Sequence, residues 1–297
     1  MPPRRNHVVW LEAFQQSPAL LLGSAVVLGL IIGSFLNVVI LRLPRMLESE
    51  WRRDCAEIAD VPGASEEPTL GIAWPPSHCP ACGHRIRPLE NLPILSYLLL
   101  RGRCSACGAR ISPRYPLVEA LTALLTLVVV LQLGVTLQGL AALPLTWGLI
   151  ALAVIDYDTQ LLPDGITLPL LWLGLILSLF GLFTDSQSAI IGAVAGYLSL
   201  WLVFQLFRLA TGKEGMGFGD FKLFALFGAW LGWEYLPQII LLSALTGALL
   251  GSILIASGRH ERGKPIPFGP FLAAAGWISL IWGPQINDAY LRLSGLG

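Results

Sequence analysis

Eight apolar stretches, each near or at the length that crosses a bilayer, constrain this chain to an all-α polytopic membrane protein. They run approximately Pro18–Leu41, Leu117–Leu133, Leu140–Ile155, Thr167–Phe183, Ala189–Phe207, Leu223–Leu236, Ile239–Ala256 and Pro270–Trp282. A crossing helix needs roughly 20 predominantly apolar residues, fewer where protein covers part of it. The third, sixth and eighth stretches are short, so the reading is about eight transmembrane helices. Only 13% of the residues are charged, about half the share usual in soluble domains. Arg4 and Arg5 precede the first run as they would in a signal peptide. That run is long and lacks a small-x-small cleavage site, so it reads as a retained helix.

Lys and Arg set the orientation, because short loops rich in them stay cytoplasmic. If eight helices alternate, sixteen of the 19 Lys and Arg residues fall on one side. Ten of them, from Arg42 to Arg114, lie between the first two helices. Arg208, Lys213 and Lys222 follow the fifth helix, and Arg259, Arg262 and Lys264 follow the seventh. Only Arg4, Arg5 and Arg292 oppose them, so both termini are expected to face away from the cytoplasm. The chain divides into residues 1–41 with the first helix, a cytoplasmic loop at 42–116, and a membrane core at 117–297. Within the loop, Glu48–Glu67 is acidic and without periodicity, which predicts a flexible segment. The formal net charge is zero, which gives no reason to expect a nucleic-acid partner. Nothing in the pattern sets an oligomeric state.

The loop carries Cys79-Pro-Ala-Cys82-Gly83 and Cys104-Ser-Ala-Cys107-Gly108, with 21 residues between the pairs. Two such knuckles match a closed, structural four-thiolate zinc site, a zinc ribbon between helices one and two. The glycine after each pair lets the chain turn so that backbone amides reach the sulfurs. Arg85, Arg87, Arg103 and Arg110 stand near enough in sequence to offset thiolate charge. Two disulfides would suit an oxidising compartment, which a cytoplasmic loop is not. A redox Cys-x-x-Cys would want a thioredoxin-like surround, and none is present. His78 or His84 replacing one ligand is the remaining variant, and Cys55 stands unpaired.

Charged residues at the edge of a bilayer are costly and need a reason. Asp156, Asp158 and Asp164 cluster where the third stretch ends, and Asp220 stands in Gly217-Phe218-Gly219-Asp220 before the sixth. By the topology above, both groups meet at the cytoplasmic interface. Two carboxylates sharing a site hold one proton between them, which is what water-mediated peptide hydrolysis uses. The glycines would let an extended substrate backbone approach. Plainer readings stand beside this one. Asp164 suits an N-cap, Asp158 could be solvated, and an aspartate pair could bind a proton or cation in a transporter or assembly-platform protein. Gly215-x-Gly217-x-Gly219 is no nucleotide loop, since no strand precedes it and no Gly-Lys-Ser/Thr follows.

Taken together, the ordered motifs resemble those of the prepilin leader peptidases, membrane aspartic proteases of type IV pilus and type II secretion systems. The resemblance runs through Gly33-Ser34-Phe35-Leu36-Asn37-Val38 with Arg42 and Pro44, the paired cysteines, and Arg114-Tyr115-Pro116-Leu117-Val118-Glu119. It continues through Asp156 with Pro163-Asp164, the Gly-x-Gly-Asp signature at Asp220, and Pro267-Phe268-Gly269-Pro270. It implies that Asp156 and Asp220 are the catalytic pair, with Asp158 and Asp164 in support. It further implies cleavage of prepilins and pseudopilins after a glycine, at the cytoplasmic face of the inner membrane. Members with the cysteine-bearing loop also methylate the new N-terminal amine from S-adenosylmethionine, so that cofactor is expected by resemblance. No methyltransferase fingerprint is visible. Asn37, Glu90 and Glu119 are polar candidates for that chemistry, and equally candidates for holding helix ends or the loop.

Overall fold

The computed structural model describes residues 17–59, 71–257 and 266–294. Arg4, Arg5, Arg259, Arg262, Lys264 and the acidic stretch beyond Ala59 lie outside the described residues. Among the described residues every regular element is helical, with no strand. The helices are α1 (Pro18–Ile58), a single turn α2 (Leu95–Leu99), α3 (Arg114–Leu133), α4 (Leu137–Thr159) and α5 (Asp164–Ser178). They continue as α6 (Ser186–Thr211), α7 (Phe218–Leu231), α8 (Leu236–Ala256) and α9 (Gly269–Ser294). Five are long and apolar enough to cross a bilayer: α1, α3, α4, α6 and α8 with the turn before it. The chain is therefore a multi-pass membrane protein.

Two elements differ from expectation. The flexible segment expected from Glu48 is helical as far as Ile58, because α1 continues through 41 residues. Leu47, Glu48, Glu50, Arg52 and Arg53 are good helix formers whatever their charge. A Glu48–Arg52 pair at 3.9 Å adds one-turn support. The third apolar stretch also grows, to the 23 residues of α4, which draws Asp156 and Asp158 into its last turn rather than the loop after it.

The chain divides into two compact units, one comprising Met1–Arg42 with Gly63–Gly139, the other Leu43–Pro62 with Leu140–Gly297. In the first, α1 and α3 pack backbone to backbone. A Cβ added at Gly33 would lie 2.7 Å from the Glu119 Cα, so only glycine allows this approach. Close approach of small residues is how helices gain contact in lipid, where the hydrophobic effect between them is absent. Asn37 then ties α1 to the start of α3, its Nδ2 donating to the Tyr115 carbonyl at 3.1 Å. Arg42 donates to the carbonyls of Gly71 and Ile72 at 3.0 and 3.1 Å.

The second unit is organised around α7. Its apolar residues run all round the helix, and every residue from Leu223 to Leu231 is buried, as expected of a helix packed on all sides by protein. It contacts α5, α6, α8 and α9. Trp230 Nε1 donates to the Leu170 carbonyl of α5 at 2.8 Å. On the α6 side Gly192 and Gly228 face each other so closely that a Cβ on either would strike the other's backbone. Asp185 caps α6 by accepting from the Gln187 and Ser188 amides at 2.9 and 3.0 Å.

Gly228→Val should therefore separate α6 from α7 and destabilise the protein by about 1–3 kcal/mol or more. Thermal unfolding in detergent reads this directly. Gly165→Ala is the control, since an added Cβ there meets nothing within 4 Å, and it should leave the melting temperature unchanged or higher.

Candidate active site and metal centre

Asp156 belongs to the last turn of α4 and Asp220 to the first turn of α7. Both are buried, with 6% and 8% of their surface exposed. The charge of Asp156 bears on the Asp220 carboxyl. One sits at the carbonyl end of its helix and the other at the amide end, so their electrostatic surroundings differ. The remaining two acids of the expected cluster are placed elsewhere. Asp158 is exposed. Asp164 is the first residue of α5, where Pro163 holds the cap position. Its two oxygens each accept from Lys222 Nζ at 2.7 Å.

The first residue of α9 completes the setting. The Gly269 N–H donates to Asp156 Oδ2 at 3.0 Å, and a Cβ at Gly269 would stand 2.6 Å from the same oxygen. Gly269 has a distinct job that sequence reasoning assigned only to a motif. Nothing in the chain's local pattern says that Pro267-Phe268-Gly269-Pro270 meets the end of α4. Leu162 links these parts. A Cβ at Gly219 would lie 2.7 Å from the Leu162 Cβ, and one at Gly269 would lie 3.3 Å from Leu162 Cδ2. So Gly219 makes room for Leu162, whereas the expectation was room for substrate. Gly217, the N-cap of α7, does have open space beside it.

The four cysteines form a second cluster, in the other unit. Each knuckle is a tight turn with an isolated bridge at its mouth, His78 with Arg85 and Arg103 with Arg110. The turns repeat the same bonds. Gly83 N–H donates to the Cys79 carbonyl at 2.9 Å, and Gly108 N–H to that of Cys104 at 3.0 Å. Gly83 and Gly108 take φ of +71° and +72°, the left-handed conformation that glycine adopts without strain. All four Sγ atoms lie within 4.8 Å of one another, an arrangement able to hold one metal ion.

Backbone amides of Ala81 and Cys82 aimed at the Cys79 sulfur hold its thiol down to about 7. The Cys107 and Ala106 amides lower Cys104 in the same way. At Cys82 the His84 amide works downward, but the neighbouring thiols, Cys107 first, push it up to about 12. Four sulfurs this close cannot all carry charge without a cation among them. Neither histidine joins the cluster. His84 Nε2 faces Glu90 at 3.3 Å, and His78 Nδ1 faces the Pro76 carbonyl. Cys55 is exposed on α1, outside it.

The three polar candidates all have structural partners. Asn37 holds Tyr115, as above. Glu90 accepts from the Arg87 N–H at 2.9 Å and from the Ser105 hydroxyl at 2.6 Å. These bonds, the Arg87 amide foremost, lower its carboxyl to about 2. Glu119, buried in α3, accepts from the Ile94 N–H at 2.7 Å.

Comparison with known proteins agrees with this division. The profile of the Bacterial Peptidase A24 N-terminal domain matches residues 27–133, and that of the Type IV leader peptidase family matches residues 143–252. The chain is 54% identical to the prepilin leader peptidase/N-methyltransferase of Pseudomonas aeruginosa, over 96% of this chain and 98% of the relative. The protein of the same name in Pseudomonas putida is 55% identical, over 94% and 96%. That of Stutzerimonas stutzeri is 51% identical, over 96% and 99%. No solved structure matches the chain.

A methyl group placed at Gly269 would push directly on Asp156. If the Asp156 carboxyl takes part in the chemistry, Gly269→Ala should lower peptidase turnover on the order of 10²-fold, as a misplacement of about 1 Å does. Single-turnover kinetics on folded protein tests this, and an undiminished rate would separate Gly269 from the chemistry.

Proposed function

The chain belongs to the type IV leader peptidase family, and from that premise we propose that Asp156 and Asp220 hydrolyse the leader peptide bond of prepilins and pseudopilins. One observation carries the reading above the others: two carboxylates remote in sequence are both buried where α4 ends and α7 begins, and the charge of one bears on the other. The ionised carboxylate takes a proton from water as that water attacks the scissile carbonyl. The protonated one donates to the carbonyl oxygen and then, as the tetrahedral adduct collapses, a proton reaches the leaving amine. The Gly269 N–H orients the Asp156 carboxyl and leaves its other oxygen for water. Open space beside Gly217 gives an extended substrate strand a place to lie. The concentration of Lys and Arg in the loop between the first two apolar stretches supports a cytoplasmic active site in the inner membrane, with about eight crossings.

The relatives' shared name supports a second activity, methylation of the amine that cleavage exposes. S-adenosylmethionine would supply an activated methyl group to that amine. Asn37, Glu90 and Glu119, being committed to holding the loop, are not proposed as its ligands.

Zinc is the metal proposed for Cys79, Cys82, Cys104 and Cys107. Four sulfurs about 2.3 Å from a tetrahedral zinc ion stand about 3.8 Å apart, and Cys79 Sγ and Cys107 Sγ are 3.9 Å apart. With four protein ligands the ion has no open position, so its role is to join the two knuckles.

Purified wild type, Asp156→Asn and Asp220→Asn, each reconstituted with a prepilin, test the dyad by mass spectrometry. Wild type should remove the leader while both variants, folded, should lose at least about 10³-fold in rate. Full cleavage by either variant would remove its aspartate from the mechanism, and failure of folded wild type on several prepilins would favour a transporter. Added S-adenosylmethionine should append one methyl mass to the cut product. Separately, elemental analysis should find one zinc per chain, lost in Cys79→Ser together with loop folding. Full zinc occupancy in that variant would overturn the four-thiolate assignment.

A further inference from the structure

Between the two knuckles lies a segment that a soluble metal-binding loop does not need. From Pro88 to Leu100 the only charged residue is Glu90, and its carboxylate is turned onto Arg87, Ser105 and His84. Leu89, Leu92, Leu95, Leu98 and Leu99 are all exposed, the last two at 64% and 73%. Five exposed leucines within eleven residues, called the ridge below, are well beyond the scattered apolar residues of an ordinary surface.

The ridge is fixed at a particular height. Ile94, which opens α2, gives its N–H to Glu119. Glu119 stands five residues inside α3, a helix long and apolar enough to cross the bilayer. At 1.5 Å per residue that is about 7.5 Å beyond Arg114, and helical side chains lean back toward the N-terminus, so α2 lies level with the first two turns of α3. Ile94 takes φ of +58° to make this bond, a conformation strained for a β-branched residue. Such strain persists only where surrounding contacts impose it. The chain thus holds its most apolar loop turn against the beginning of a membrane span.

A cationic rim adjoins the ridge. Immediately after α2, Arg101 and Arg103 with Arg110, all exposed, line a groove of about 490 Å³ together with Tyr97 and Ser112. Exposed leucines followed directly by exposed arginines is the composition of a segment lying in a bilayer interface, the guanidinium groups meeting lipid phosphates.

We propose that Leu89–Leu99 is a membrane-inserted anchor, dipping into the leaflet beside α3, and that Arg101, Arg103 and Arg110 bind the phosphates of anionic phospholipid. The metal-binding loop is then docked on the membrane surface rather than suspended above it. The occupant is lipid, because both ends of the loop emerge from membrane helices and the ridge sits at their depth.

The full-length protein, reconstituted in vesicles of phosphatidylethanolamine and phosphatidylglycerol, tests this with a diazirine amino acid at one position at a time. Leu98 is the probe, exposed Leu124 on α3 the membrane reference, and exposed Ala106 in the knuckle the aqueous reference. Photolysis should give phospholipid adducts at Leu98 with a yield like that at Leu124, and about tenfold above Ala106. A yield at the Ala106 level, or adducts to a second copy of the chain instead of lipid, would overturn the insertion. For the rim, native mass spectrometry should show phosphatidylglycerol retention falling about fivefold for Arg103→Gln, and more steeply when Arg101 and Arg110 are also changed to Gln. Undiminished retention in the triple variant would overturn the phosphate site. Equal retention of phosphatidylcholine by wild type would overturn its preference for anionic lipid.

Discussion

A carboxylate can remain inside a membrane protein only where protein replaces the water it has lost, and the arrangement of the second unit follows from that constraint. Asp220 is carried at the start of a helix in which every residue from Leu223 to Leu231 is buried. Asp156 is enclosed by the start of α9, whose first amide it uses. Small residues make the enclosure possible. Without Gly196, whose added Cβ would strike the Phe224 carbonyl and Ala225, α6 would stand away from the half of α7 that carries Asp220. Trp230, spending its indole N–H on a carbonyl of α5, fixes the other end.

Much of this was legible in the chain, and the reasons are physical. Apolar runs announce membrane helices because hydrocarbon tolerates no unsatisfied backbone, so each of the eight stretches overlaps a helix. Four cysteines in two short turns have few ways to be arranged, and the sulfurs do converge. Helix ends were less legible. Polarity hid the continuation of α1 to Ile58, since a helix leaving the bilayer becomes charged without ceasing to be helical. The same blindness left Asp156 in a loop by one turn. Contacts between distant segments were the least legible. The Gly269 amide on Asp156 and Leu162 between Gly219 and Gly269 depend on close approach of three separate segments, which no local pattern encodes.

In the first unit, polar side chains hold the chain together. Asn37, Arg42 and Glu119 each spend their side chain on a backbone group of the loop or its exit. Such bonds are stronger for being shielded from water, and they convert a long connection into a structure whose height beside α3 is set. The four cysteines then have only two short turns to bring together, which limits the chain entropy lost on closing the cluster.

The amide that holds Asp156 belongs to residue 269, 49 residues beyond Asp220. During synthesis α4 and α7 are complete long before α9 exists, and both aspartates are then present without their last constraint. The site reaches its finished form only once the start of α9 has been made. A chain stalled or truncated before α9 carries both acidic residues yet lacks the contact that orients one of them.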